Sequence, residues 1–216
     1  MLKKIKQAAK IADRVLVHIF DILKPGVREK EVAAWIRRAL KKHGAREAFR
    51  IIVASGKRSA KPHGFATQKK INPGEVIMLD FGAKYQGFCS DITRTFVIGK
   101  PNQKQKKVYR ILFQAQKKAI QKVKDGVKCS TVDAAARDYI KSKGFGKYFK
   151  HSIGHGIGHK VHEKPKISQK NQKTLKAGTI VTIEPGIYIK GKWGMRIEDM
   201  VLVTKKGCKQ LTKSSK

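Results

Sequence analysis

The apolar positions of this 216-residue chain switch from a helical to a strand-type pattern twice, in the same order each time. Residues 1–23 and 24–44 carry helical patterns, and Gly44 supplies the stop signal of the second. Two β-type runs follow, EVIMLD at 75–80 and CSDITRTFVIG at 89–99. Helical patterns return at 104–123 and 124–144, the second stopping at Gly144. They give way to TIVTIE at 179–184 and MRIEDMVLVT at 195–204. The likeness extends to individual residues. Lys24, Gly26, Val27, Val32, Ala34, Arg37 and Gly44 each recur 100 positions later, from Lys124 to Gly144. In NPGEVIMLDFG (72–82) and KAGTIVTIEPG (176–186), Gly74 meets Gly178, Gly82 meets Gly186, and Asp80 meets Glu184. This order predicts an α+β fold of two αα/ββ halves, about 1–100 and 104–205, related by a pseudo-twofold. The halves are expected to share one curved antiparallel sheet with the helices on its outer face. A single domain over 1–216 is expected, with no separate N-terminal domain.

Charge adds a second feature. Lys and Arg number 50 against 15 Asp and Glu, a formal net charge of +35. The excess is spread along the whole chain, so no basic arm stands apart from a neutral body. Most of it is Lys, which reads nucleic-acid bases poorly compared with Arg. A solvated lysine surface with weak, non-specific polyanion binding is the expectation. Cys89, Cys129 and Cys208 are odd in number and form no CxxC, which reads as a reduced, cytoplasmic chain. The segment MLKKIKQAAKIADRV lacks an apolar signal core, and no run of about 18 apolar residues exists, so no membrane span is expected.

Against so few acidic residues, the position of four of them changes the picture. Asp80, Asp91, Glu184 and Glu198 all lie inside otherwise apolar strand-type runs. An ionised carboxylate is costly to bury without a partner. Each one alone has an ordinary account: a strand end, a lysine partner, an outward-facing position. All four in matched places of two halves point instead to convergence around cations. With one imidazole added, the donors suit two divalent ions roughly 3.5–4 Å apart, with bridging carboxylates and a shared water. Oxygen-rich ligation favours Mn, Co, Fe or Zn over a thiolate-type structural zinc.

The imidazole comes from FKHSIGHGIGHKVHEKP (149–165), which holds His151, His155, His159 and His162 among glycines too frequent for a good helix. Together with DFGAKYQGFCSDITRTF, TIEPGIYI and GMRIEDMVLVT, this stretch resembles the metallopeptidase family of methionine aminopeptidases, Xaa-Pro aminopeptidases and prolidases, with its pita-bread fold. The resemblance covers nearly the whole chain. It implies metal ligands at Asp80, Asp91, His155, Glu184 and Glu198, with Asp91 and Glu198 bridging two ions. It also implies that His162 contacts the scissile carbonyl and that His63 contacts the first peptide unit of the substrate. His151 and Arg196 match residues of the proline-specific branch. His159 has no implied role and reads as a lining or surface residue; His18 and His43 read as surface residues of the N-terminal helices.

The implied activity is removal of the N-terminal residue from peptides with a free N-terminus, through a hydroxide bridging two metals, with Glu184 as proton shuttle. SGKRSAKPHG, GMRIED and His151 favour cleavage before proline. The alternatives are a methionine aminopeptidase and a non-catalytic, ribosome- or RNA-associated member of the fold. Xaa-Pro enzymes of the family carry a further N-terminal domain over the active site, and this sequence begins at the first catalytic helix. An open groove that prefers Xaa-Pro oligopeptides to dipeptides is the corresponding expectation.

Overall fold

Helix α1 (Leu2–Val17) turns Ile5, Ala8, Ile11, Ala12 and Val15 inward at helical spacing and passes into a short 3-10 turn at His18–Asp21. Helix α2 (Glu29–Lys42) buries Val32, Ile36 and Leu40; α4 (Cys129–Ser142), after α3 (Gln103–Lys122), buries Val132, Ala136 and Ile140 at the equivalent places. In the computed structural model, which describes residues Met1–Lys216, these helices cover two cores of the same construction. One packs α1 and α2 on Ile77, Leu79, Phe81 and Ile92. The other packs α3 and α4 on Val181, Ile183, Ile187 and Val201.

The second and fourth helices start later than the apolar pattern predicts, and for the same reason in each half. Pro25–Gly26 and Asp125–Gly126 form turns, and the chain then pairs with a distant segment. Gly26 N donates to Ile71 O and Ile71 N to Val27 O, both at 2.8 Å. Gly126 N donates to Leu175 O at 2.9 Å and Leu175 N to Val127 O at 2.8 Å. Backbone groups used in this way are not free to begin a helix. Gly44 and Gly144 end α2 and α4 at φ of +71° and +81°, a conformation that favours glycine.

Strands of the first half are β1 (Arg46–Glu47), β2 (Ile52–Ser55), β3 (Val76–Phe81), β4 (Ala83–Tyr85), β5 (Phe88–Cys89) and β6 (Ile92–Val97). Those of the second are β7 (Gly154–Gly156), β8 (Glu163–Ile167), β9 (Ile180–Ile183), β10 (Gly186–Ile189), β11 (Trp193–Arg196), β12 (Asp199–Val203) and β13 (Cys208–Gln210). All pairings are antiparallel, in the ladders β2–β3–β6, β13–β12–β9–β7–β8, β1–β4–β5 and β10–β11. The shared sheet is therefore divided into ladders that abut at β6. Across that seam Glu198 N donates to Thr93 O at 3.1 Å. The Thr95 hydroxyl then takes the place of a backbone rung. It accepts from Arg196 N at 3.1 Å and donates to Arg196 O at 2.8 Å.

The symmetry is broken at Glu29, the fully buried first residue of α2. Its carboxylate accepts from Ser55 N and Oγ at 2.8 and 2.9 Å, from Thr67 N and Oγ1 at 3.0 and 2.7 Å, and from Arg58 Nε at 3.0 Å. It thereby pins the loop from Gly56 onward that carries His63. Replacing a buried carboxylate with so many donors strands them all. Glu29→Ala is expected to lower unfolding stability by about 3–5 kcal/mol in denaturant titration. A loss below about 1 kcal/mol would show that water repairs the pocket.

Candidate metal centre

The four strand carboxylates reach one place because each sits at the same end of its ladder. Asp80 faces Thr93 in the β3–β6 register, and Asp91 immediately precedes β6. Glu184 directly follows β9, and Glu198 directly precedes β12, whose Asp199 faces Ile183. His155 is brought to them by β7, which runs between β8 and β9. A Cβ at Gly154 would collide with Thr182 O, and one at Gly156 with Lys164 O. Glycine on both sides is thus what lets the imidazole strand pass so close.

The His155 ring is oriented from behind. Its Nδ1 lies 3.0 Å from Gly156 O, which can only accept, so Nδ1 carries the proton. The Nε2 lone pair is left facing Glu184 Oε1 at 3.4 Å and Asp91 Oδ2 at 3.7 Å. Donor atoms of Asp91, His155 and Glu198 all lie within 4.8 Å of one another. Burial, with Glu198, Asp80 and Glu184 adding like charge, pushes the Asp91 carboxyl well above its ordinary range. Burial and the charges of Glu184 and Asp80 do the same to Glu198. Burial raises Glu184 to about 7, and burial lowers His155 to about 4.

Arg196 is the one cation bonded into the cluster. Its Nη2 donates to Asp80 Oδ2 at 2.5 Å, its Nη1 to Tyr188 OH at 2.6 Å and Pro62 O at 3.2 Å, and its Nε to Thr93 Oγ1 at 3.1 Å. Asp80 Oδ1 is buried with no partner. Four carboxylates and one guanidinium leave three formal negative charges uncompensated. The ion-paired lysines serve Glu75 and Asp199, not these residues. An orphaned oxygen, mutual repulsion and a ready imidazole lone pair together fit a centre for divalent cations.

Above the cluster opens a groove of about 650 Å³. His63 and His162 line it and are exposed, and the His162 ring lies 4.4 Å from that of His155, edge to face. His151 lines it too, but both its nitrogens are engaged: Nδ1 with Ser152 O at 2.8 Å and Nε2 with Tyr188 OH at 2.9 Å. Burial lowers its pKa to about 3, so it stays a neutral acceptor from Tyr188. His159 is exposed and stacks on Phe88 with ring centres 4.0 Å apart, away from the cluster. His18 is exposed and His43 half-buried at the ends of their helices.

Three residues of the site escaped the sequence reading. Thr93 Oγ1 donates to Glu198 Oε2 at 2.6 Å; Thr182 Oγ1 accepts from His155 N at 3.1 Å; Tyr188 links His151 to Arg196. Tyr188 alone left a signal. A tyrosine inside an apolar run, as in TIEPGIYI, must find a partner for its hydroxyl.

The sequence pattern of metallopeptidase family M24 matches residues 3–205. The chain belongs to this family. It is 47% identical over 216 residues to an Xaa-Pro dipeptidase of Pyrococcus horikoshii, all of this chain against 62% of that one. Among solved M24 structures, a prolidase from Pyrococcus furiosus superposes with a TM-score of 0.98 at 46% identity, covering 100% of this chain and 64% of the other. An X-Pro aminopeptidase from Thermotoga maritima gives 0.97 at 45% identity, over 99% of this chain and 61% of the other. The chain thus spans about three-fifths of the length of its M24 relatives. M24 is a family of divalent-metal peptidases with the pita-bread fold that the resemblance implies, and its two halves are those that the repeat predicts.

The clustered charges make the metal-free chain pH-sensitive in a definite direction. Carboxyls with raised folded pKa values stabilise the fold at acid pH, and that stabilisation is lost as pH rises through the folded values. The lowered histidines act the other way, but their unfolded-state protons are mostly lost above about pH 7. In EDTA the melting temperature should therefore fall between about pH 7 and 8. With Mn²⁺ it should not, because metal binding strengthens as its ligands deprotonate. A metal-free melting temperature that rises over this range would contradict the cluster.

Proposed function

We propose that this chain is a metal-dependent exopeptidase that removes the N-terminal residue from peptides, preferentially before proline. The observation that carries this reading is the convergence of Asp91, His155 and Glu198 donors, with Asp80 and Glu184 beside them, at the base of a groove lined by His63, His162 and Arg196. The proline preference is supported by relatives named Xaa-Pro dipeptidase and prolidase. Its cofactors are two divalent ions, Mn, Co, Fe or Zn. Asp80 and Asp91 from the first half, with His155, Glu184 and Glu198 from the second, would hold them. When bound, such ions lower the pKa of a water and polarise the scissile carbonyl.

The remaining work falls to side chains. His162, exposed beside His155, donates to the oxygen that becomes negative as the carbonyl turns tetrahedral. Glu184 takes a proton from the attacking water and returns it to the proline nitrogen as the C–N bond breaks. His63 contacts the first peptide unit, on a loop anchored by Arg196 at Pro62 O. Arg196 in turn is oriented by Tyr188 and His151. The substrate's free α-amine lies among the carboxylates, which restricts cleavage to N-termini. The three free cysteines fit a reducing, cytoplasmic setting.

Hydrolysis of an Xaa-Pro dipeptide, an Xaa-Pro-Xaa tripeptide and a Met-Ala peptide with Mn²⁺, Co²⁺ or Zn²⁺ tests the reading. Release of the residue before proline, abolished by EDTA, is expected. Removal of Met with no proline activity would instead assign the methionine branch. Bound metal without any hydrolysis would leave a binding protein. Within the proline reading, His162→Ala should lower kcat by roughly 10²–10³-fold at unchanged metal content. His159→Ala should leave it within about twofold, since what it loses, a stack on Phe88 and a contact of Nδ1 with Gly87 O at 3.3 Å, lies away from the cluster. Equal losses from the two would mean that His162 has no special place at the carbonyl.

A further inference from the structure

Behind the carboxylate cluster lies a buried ion pair that the proposed reaction does not use. Side chains alternate across a strand, so Thr93 faces the cluster while Arg94 faces away from it. Arg94 and Asp199 are 1% and 0% exposed, and Arg94 Nη2 donates to Asp199 Oδ1 at 2.9 Å. The rest of the guanidinium is equally engaged. Nη1 donates to Thr93 O at 3.0 Å and Glu198 O at 2.5 Å; Nη2 donates also to Ser214 O at 2.8 Å, and Nε to Ser215 O at 3.2 Å. Asp199 further accepts from Thr212 Oγ1 at 2.8 Å and pairs with Lys216 Nζ at 2.5 Å.

Two of these acceptors lie on opposite sides of the seam. Thr93 O belongs to β6 of the first half, and Glu198 O to the second-half residue whose carboxylate enters the cluster. The same Thr93 donates its hydroxyl to Glu198 Oε2. Arg94 therefore ties the halves together one peptide unit behind the donors, with a planar fork that no other side chain reproduces. The carboxylates it backs repel one another across that seam. Metal–ligand distances vary by only about 0.2 Å. A second ion adds to the donors of both halves that must be held at such distances at once.

We propose that Arg94, locked by Asp199, is a positioning residue that sets the separation between the first-half donors Asp80 and Asp91 and the second-half donors Glu184 and Glu198, and so determines whether a second ion binds. This rests on the reading of those residues as a two-ion centre. Titration of the metal-free full chain with Mn²⁺, followed by calorimetry and by the electron paramagnetic resonance of a spin-coupled Mn pair, tests it. Wild type should bind two ions and show the coupled spectrum. Arg94→Met should keep the first ion and bind the second about 10–100-fold more weakly, losing the coupled spectrum at wild-type saturation. Asp199→Asn, nearly isosteric, should shift the second step in the same direction and decides the matter if Arg94→Met does not fold. Ile36→Ala, a core truncation in α2, should destabilise the chain yet keep the coupled spectrum. Wild-type stepwise affinities in both seam variants, or an equal loss in Ile36→Ala, would overturn the inference alone. Wild type binding fewer than two ions would overturn the two-ion reading and the inference with it.

Discussion

Four carboxylates share one buried place with a single guanidinium, and much of this structure is organised to hold them there against their own repulsion. Asp80 and Asp91 come from one half and Glu184 and Glu198 from the other, so the repulsion acts across the seam between halves. Bonds that cross the seam oppose it: Glu198 N to Thr93 O, the Thr95 hydroxyl to both backbone groups of Arg196, and the Arg94 fork. The two apolar cores, one per half, supply the rigid bodies that these bonds join. Polar groups in such numbers would be a poor choice for stability alone, since buried ion pairs rarely outdo apolar packing. Their concentration at one point is better explained by what must sit between them.

Much of this was legible in the residues because the chain states it twice. The offset between KPGVREKEVAAWIRRALKKHG and its counterpart located the helices, and the carboxylates at the ends of matched strand runs located the cluster. The glycine-flanked His155 was legible only through resemblance, because four histidines in one short stretch offer no internal means of choosing among them. What the pattern missed were partners supplied from far along the chain. The start of α2 depends on Ile71, and that of α4 on Leu175, neither of which a local window contains. Division of the sheet into ladders follows from one threonine hydroxyl standing in for a backbone rung, a substitution invisible to alternation of apolar and polar residues.

The net charge is a different kind of feature. At +35 it dominates the composition, yet lysine enters the ion-pair network behind the cluster only through Lys216 and is absent from the cluster itself. Arginine takes the buried positions, at Arg94 and Arg196, where a planar fork can satisfy several acceptors at once. The division follows hydration: an ammonium is costly to strip of water, whereas a guanidinium is less so. The lysine excess therefore reaches the groove, at Lys164 and Lys166, but not the carboxylate cluster at its base.

Arg196 reaches in two directions, to Asp80 within the cluster and to Pro62 O in the loop that carries His63. Any occupant that claims both oxygens of Asp80 competes with Arg196 for one of them. The guanidinium must then lean more heavily on Tyr188, Thr93 and the Pro62 carbonyl. Loading of the cluster and the posture of the His63 loop are thus linked through one side chain, and thermodynamic reciprocity requires the converse. Whatever shifts the Pro62 carbonyl therefore bears on Asp80, and whatever draws on Asp80 bears on the loop.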